Sequence, residues 1–234
     1  MNGPLDQRRR RASVIASVAQ VIVSGLVYFV MFRYLYGRLG VEKIGIWSLV
    51  LPATSVSRIG EFGLPAGVVR FVAQALGRND RERAAAVVDT VVLTLAALMG
   101  GLLLTLYQPS LALIGYVVPA GDVPLAREIL PYAVASLWIN VAASVYSGGL
   151  DGCMRIDLRC LATAASHLVL LTLVLILTPG MGLHGVALAQ VLQALGLLLA
   201  TWWLLRVQLP TLRGTPRWNS RLLREMIGYG LSFQ

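Results

Sequence analysis

Charge is scarce in this sequence. Acidic and basic side chains make up 13% of its 234 residues, against about a quarter in a soluble globular domain. Apolar and polar residues do not alternate as they would along the strands of a membrane barrel. Cysteine is nearly absent. Cys153 and Cys160 are separated by six residues, which suits neither a zinc site nor a thioredoxin-type pair, so they read as small semi-polar residues near a helix start. There is no glycine-rich phosphate loop, no cluster of metal ligands, and no Ser/His/Asp set that the topology would bring together. These absences exclude a self-contained ATPase, a metalloenzyme and a triad hydrolase. We therefore expect no catalytic residue, no metal and no cofactor, with coupling to a proton or sodium gradient left open.

What the chain does have is long apolar blocks, a hydrophobic content of 57% and a mean hydropathy of +0.73. Blocks of about 20 apolar residues cross the hydrocarbon core as helices, because each backbone N–H and C=O must then be paired within the segment. The expected fold is all-α: a lobe of six transmembrane helices. The spans run over about residues 12–32, 44–72, 85–107, 129–150, 158–177 and 183–205. The second is interrupted by Pro and Gly. Residues 1–206 form the lobe, 207–225 a basic cytoplasmic linker, and 226–234 the start of a seventh helix. The first block is too long for a secretory signal and has no convincing cleavage site, so it is read as a retained helix.

The net charge of +9 does not point to nucleic acid, because the arginines sit in short loops between apolar blocks. With the N-terminus in the cytoplasm, Arg8 to Arg11, Arg78, Arg81, Arg83, Arg155, Arg159 and the arginines from Arg206 to Arg224 all lie inside. Arg33, Arg38, Lys43 and Arg127 lie outside. The positive-inside rule favours this orientation, and the first outer turn is its exception. A bacterial or archaeal cytoplasmic membrane is the expected location.

Candidate functional residues are the polar groups that lipid would not tolerate. Arg58 and Glu61 lie three apart in the second span. They either pair with each other or face a water-filled cavity, where a guanidinium suits an anionic group. Arg70, near the end of that span, snorkels to headgroups. Ser13, Ser17, Gln20 and Ser24 form a stripe on the first span; Tyr132, Ser136, Asn140, Ser144 and Ser147 form another on the fourth. Each stripe either bonds between helices or lines a hydrated cleft. On the second reading, Gln20 and Asn140 join Arg58 and Glu61 as substrate-binding candidates. His167, four residues after Thr163, is a hydrogen-bonded packing residue or a proton relay. Asp89 pairs with Arg83 or couples an ion.

Several segments carry a family resemblance. They are Tyr36-Gly37-Arg38-Leu39-Gly40-Val41-Glu42-Lys43-Ile44-Gly45-Ile46-Trp47-Ser48, Ile59-Gly60-Glu61-Phe62-Gly63-Leu64-Pro65, Leu76-Gly77-Arg78-Asn79-Asp80, the loop from Leu150 to Arg159, and Gly182-Leu183-His184-Gly185-Val186-Ala187-Leu188-Ala189-Gln190. In order and spacing they resemble the N-terminal half of the polysaccharide flippases of the multidrug/oligosaccharidyl-lipid/polysaccharide exporter superfamily. The resemblance implies one six-helix lobe of a two-lobe, alternating-access transporter. Its substrate would be a polyprenyl-diphosphate-linked oligosaccharide for surface polysaccharide or lipopolysaccharide, with Arg58 facing the cavity. The implied partners are that lipid-linked glycan, membrane lipids and a C-terminal lobe that this stretch does not contain, with no nucleic acid. The chain is expected to be a fragment, inactive in transport alone. The rival readings are a drug or cation exporter of the same superfamily, and a non-transporting scaffold for polysaccharide assembly.

Overall fold

The computed structural model describes the backbone of residues 4–60, 64–212, 218–220, 222–224 and 226, and the side chains of residues 13–48, 66–212, 218–220, 222–224 and 226. Six helices follow in order: α1 (Pro4–Gly60), α2 (Leu64–Gly77), α3 (Arg81–Val117), α4 (Val123–Gly152), α5 (Ile156–Met181) and α6 (Leu183–Gln208). Five of them are long and apolar enough to cross a membrane. The protein is an all-helical, multi-pass membrane lobe.

The first two expected spans meet inside α1. Gly40 has φ 78° and ψ 166°, a non-helical conformation that a Cβ would resist. The chain doubles back there, because the rings of Phe32 and Trp47, on either side of Gly40, stand 6.1 Å apart. Two helical arms therefore run side by side. The second expected span is shared between the arm after Gly40 and α2, with residues 61–63 outside the described residues. At about 1.5 Å per residue the 14 residues of α2 reach only about 21 Å, short of the roughly 30 Å hydrocarbon core.

The turns at the opposite end are built alike. Asn79 and Met154 both take positive φ, at 58° and 57°. After α2, the N–H of Asp80 reaches back to the carbonyl of Ala75 and that of Asn79 to Leu76. After α4, Arg155 reaches Leu150 and Met154 reaches Asp151. Each pair is a Schellman ending that satisfies the last carbonyls of a helix. Asp80 then caps α3 by accepting from the Arg83 N–H at 2.9 Å.

Helix α4 is the hub, touching α1, α2, α3, α5 and α6. Around it the apolar core divides into two main clusters. At the Asn79 end, Val68 and Val72 of α2, Val87, Val88 and Leu95 of α3, Val145 and Leu150 of α4 and Leu205 of α6 pack together. At the Gly40 end, Met31, Leu35, Ile44 and Trp47 of α1 meet Ile129 of α4, Leu170 and Val174 of α5 and Val186 of α6.

The stretch expected to be a linker contributes to the first of these cores. Leu209, Leu212 and Leu222 are buried there, as is Met226, where the seventh helix was expected to begin. Thr211 donates to the Arg81 carbonyl at 3.0 Å, and the Trp218 indole to Thr94 at 3.2 Å.

Candidate functional site

A seam of polar side chains joins α5 to α1 and α6, running from Cys160 in the first turns of α5 to His167 near its middle. Helix α5 supplies Cys160, Thr163, Ser166 and His167. Helix α1 faces it with Ser17, Ser24 and Tyr28, and α6 supplies Gln193. The Ser24 hydroxyl stands 2.7 Å from His167 Nδ1. The Tyr28 ring tilts against the imidazole at a centroid distance of 5.2 Å. Ser17 bonds its own helix at the Ser13 carbonyl and stands 3.5 Å from Cys160 Sγ. Gln193 Nε2 donates to Ser166 Oγ at 3.1 Å, and Ser166 donates to the Thr163 carbonyl at 2.8 Å. Gln193 and Ser166 are both buried.

The expected stripe on the first span is therefore in contact with α5, and His167 is bonded as a packing histidine would be. That bond still leaves the imidazole able to exchange a proton. Gln20, on the same stripe, is half-buried and forms no side-chain hydrogen bond among the described residues.

The stripe on α4 behaves differently. Ser136 donates to Ala133 O at 2.9 Å, Asn140 Nδ2 to Ser136 O at 2.8 Å, and Ser144 to Val141 O at 2.8 Å. All three bonds return to their own helix. The described contacts do not join Asn140 to His167 or Gln193. Arg58 lies within α1, but its side chain and all of Glu61 are outside the described residues. Asp89 is buried on α3.

Sequence reasoning missed three contributors. Tyr28 extends the α1 stripe by one more helical turn, so the same periodicity could have found it. Gln193 follows Gln190 by three residues, so the two amides lie on neighbouring positions of one helical face in an otherwise apolar run that lipid exposure would not allow. The third is the charge cluster at the Asn79 end. There Arg159 Nε pairs with Asp151 at 2.7 Å, while Arg155 spans Asp157 at 3.3 Å and Gln208 of α6 at 3.2 Å. Those arginines had been read for topology alone. At the Gly40 end, His184 Nε2 and Glu128 Oε2 stand 2.8 Å apart and tie α6 to α4.

Chemically, this is a hydrogen-bonded seam between α5 and its neighbours α1 and α6, made of hydroxyls, a thiol, an amide, a phenol and one imidazole. No group of three or more potential metal ligands occurs among the described residues.

The family model MatE matches residues 16–177. Among solved structures, an outward-facing multidrug resistance MATE family transporter of the MOP superfamily is 21% identical, with a TM-score of 0.79; the match covers 95% of this chain and 51% of that one. A MATE structure in the bent conformation is 22% identical over 95% of this chain and 52% of its own, with a TM-score of 0.77. A MOP superfamily transporter from Pyrococcus furiosus, described as having a binding pocket of reversed polarity, is 20% identical over 94% and 51%, with a TM-score of 0.73. At these identities the likeness is one of fold. The chain spans about half the length of each. No curated protein matches it.

Proposed function

The chain belongs to the MatE family, and from that premise we propose that it forms one lobe of an alternating-access exporter of drug-sized organic solutes. Membership agrees with the superfamily to which the loop motifs pointed, but it does not reach the polysaccharide-flippase branch. The carrying observation is the polar seam that reaches His167 near the middle of α5, and transporters with related helical lobes place their solutes near mid-depth. A wall of hydroxyls, amides and an aromatic ring suits an amphiphilic organic molecule. The solved MATE transporters, named for multidrug resistance, point the same way.

In this reading Gln20 contacts the solute. The imidazole of His167, held by Ser24, exchanges the coupling proton. The N-terminus faces the cytoplasm of a bacterial or archaeal cell, and a second lobe completes the cavity. The test is accumulation of a fluorescent aromatic cation in efflux-deficient cells expressing the full-length parent protein. Energy-dependent reduction in accumulation, lost in His167→Leu, supports the proposal. Unchanged accumulation by a well-expressed parent sinks it.

The glycan-flippase reading is kept alive by one observation: the ordered loop motifs together with Arg58 in the second span. It expects Arg58→Ala in the full-length parent to abolish export of surface polysaccharide while membrane insertion is retained. Normal glycan export by that variant would remove Arg58 from the mechanism.

A further inference from the structure

The two positive residues that sit most awkwardly with the positive-inside rule, Arg33 and Arg38, line an open groove. Val30, Arg33, Tyr34, Gly37 and Arg38 form its α1 wall, Leu175 of α5 closes it, and its volume is about 460 Å³. The five α1 positions follow i, i+3, i+4, i+7 and i+8, so they share one helical face. Gly37 makes the notch: a Cβ placed there would meet nothing within 4 Å. Both arginines are exposed, and neither has a hydrogen bond or ion pair among the described residues.

We propose that this groove binds the phosphate headgroup of an anionic membrane lipid. Its place in the bilayer fits. Arg33 directly follows the apolar run of residues 12–32, so it stands at the edge of the hydrocarbon. Arg38 lies about 7.5 Å further along the axis at helical rise. Two long guanidinium side chains can converge on one phosphate from that separation, each donating paired hydrogen bonds. Val30 and Leu175 give the first methylenes of the acyl chains an apolar floor. Tyr34 belongs at the same interface, where aromatic side chains with a polar tip collect. An anion between the two guanidiniums also relieves their mutual repulsion. The groove lies on an exposed face of α1 beside α5, and its affinity for a headgroup does not depend on what the cavity carries.

The full-length parent protein, purified and offered equimolar phosphatidylglycerol and phosphatidylcholine, is examined by native mass spectrometry. Phosphatidylglycerol should be retained preferentially. Arg33→Gln with Arg38→Gln should lower that retention by about five-fold per arginine removed. Gly37→Phe should lower it too, by filling the notch with no change of charge. Because the added Cβ enters open space, that variant should fold. Arg78→Gln with Arg81→Gln, which removes the same charge at the other end, should leave the preference intact. Equal loss in this control would mean bulk electrostatics rather than a site, and would overturn the proposal. Undiminished retention in Gly37→Phe, or equal retention of the zwitterionic lipid by the parent chain, would overturn it as well.

Discussion

The Asn79 end of the lobe and the polar seam around His167 solve the same packing problem by opposite means. At the Asn79 end the helices approach until backbone meets side chain. A Cβ on Gly152 of α4 would stand 2.8 Å from Val72 Cβ and 2.9 Å from the Val69 carbonyl of α2. Schellman turns and the Arg155 and Arg159 ion pairs then fix the helix ends. Around His167 the helices are joined instead by single hydrogen bonds, between Ser24 and His167 and between Gln193 and Ser166. Close packing has one good arrangement and resists change. A chain of hydroxyls and amides has several of nearly equal energy.

The sharpest way to break this contrast is to overfill the tight end. Gly152→Val must displace either Val72 or the α2 backbone, and overpacking of that kind costs about 2–3 kcal/mol. Thermal unfolding of the purified chain in detergent should show a clear drop in midpoint. A midpoint unchanged from the parent would mean that α2 can move away freely, and the end would not be rigid.

The corresponding change in the seam should cost much less. His167→Leu and Ser24→Ala each remove the same 2.7 Å contact. Hydrogen bonds between membrane helices average about 0.6 kcal/mol, with a maximum near 1.7. A double-mutant cycle on this pair should return a coupling in that range, a small part of the Gly152→Val effect. No coupling would mean that the two side chains meet without bonding.

Much of this arrangement was legible in the sequence, and the parts that were not have identifiable reasons. Helix number and order followed from the apolar blocks, because lipid forces each block to satisfy its own backbone. The turn at Gly40 sat within the motif that joins the first two spans. The stripes on α1 and α4 were visible as periodic polar positions, but their fates were not. Serine bonds equally well to a carbonyl four residues back or to a neighbouring helix, and only the rotation of the helix decides. Gln193 has only Gln190, three residues before it, as a polar neighbour on its face, too short a pattern to read as a stripe. The packing of Leu209 and Leu212 beneath α3 was masked by the surrounding Pro and Arg residues, whose composition is that of a linker.

The two stripes can be set against each other directly. Asn140 donates into its own helix, so Asn140→Leu leaves no partner on another helix unsatisfied. Its stability cost should stay within about 0.5 kcal/mol, below that of His167→Leu. Thermal unfolding of both variants side by side measures the difference. If Asn140→Leu were the more damaging, α4 would be bonded across the lobe after all, and the distinction between the stripes would fail.

The smallest effect is chemical, and it reports on the tight end without disturbing it. Cys153 follows α4 and packs against the Asn79-end core. Burial pushes its thiol up to about 11, and the nearby Arg155 only partly offsets this. The thiolate is the reactive form, so at neutral pH Cys153 should alkylate roughly a hundred-fold more slowly than an ordinary thiol. The sign fixes the pH dependence: the rate should keep climbing through the range in which an exposed thiol has levelled off, flattening only above about pH 11. Cys160 is 1% exposed and in contact with Ser17, so it should react only on unfolding. A mass-resolved alkylation series against pH separates the two. Fast labelling of Cys153 at neutral pH would mean that the α4 ending opens readily, and the grip assigned to that end would have to lie elsewhere.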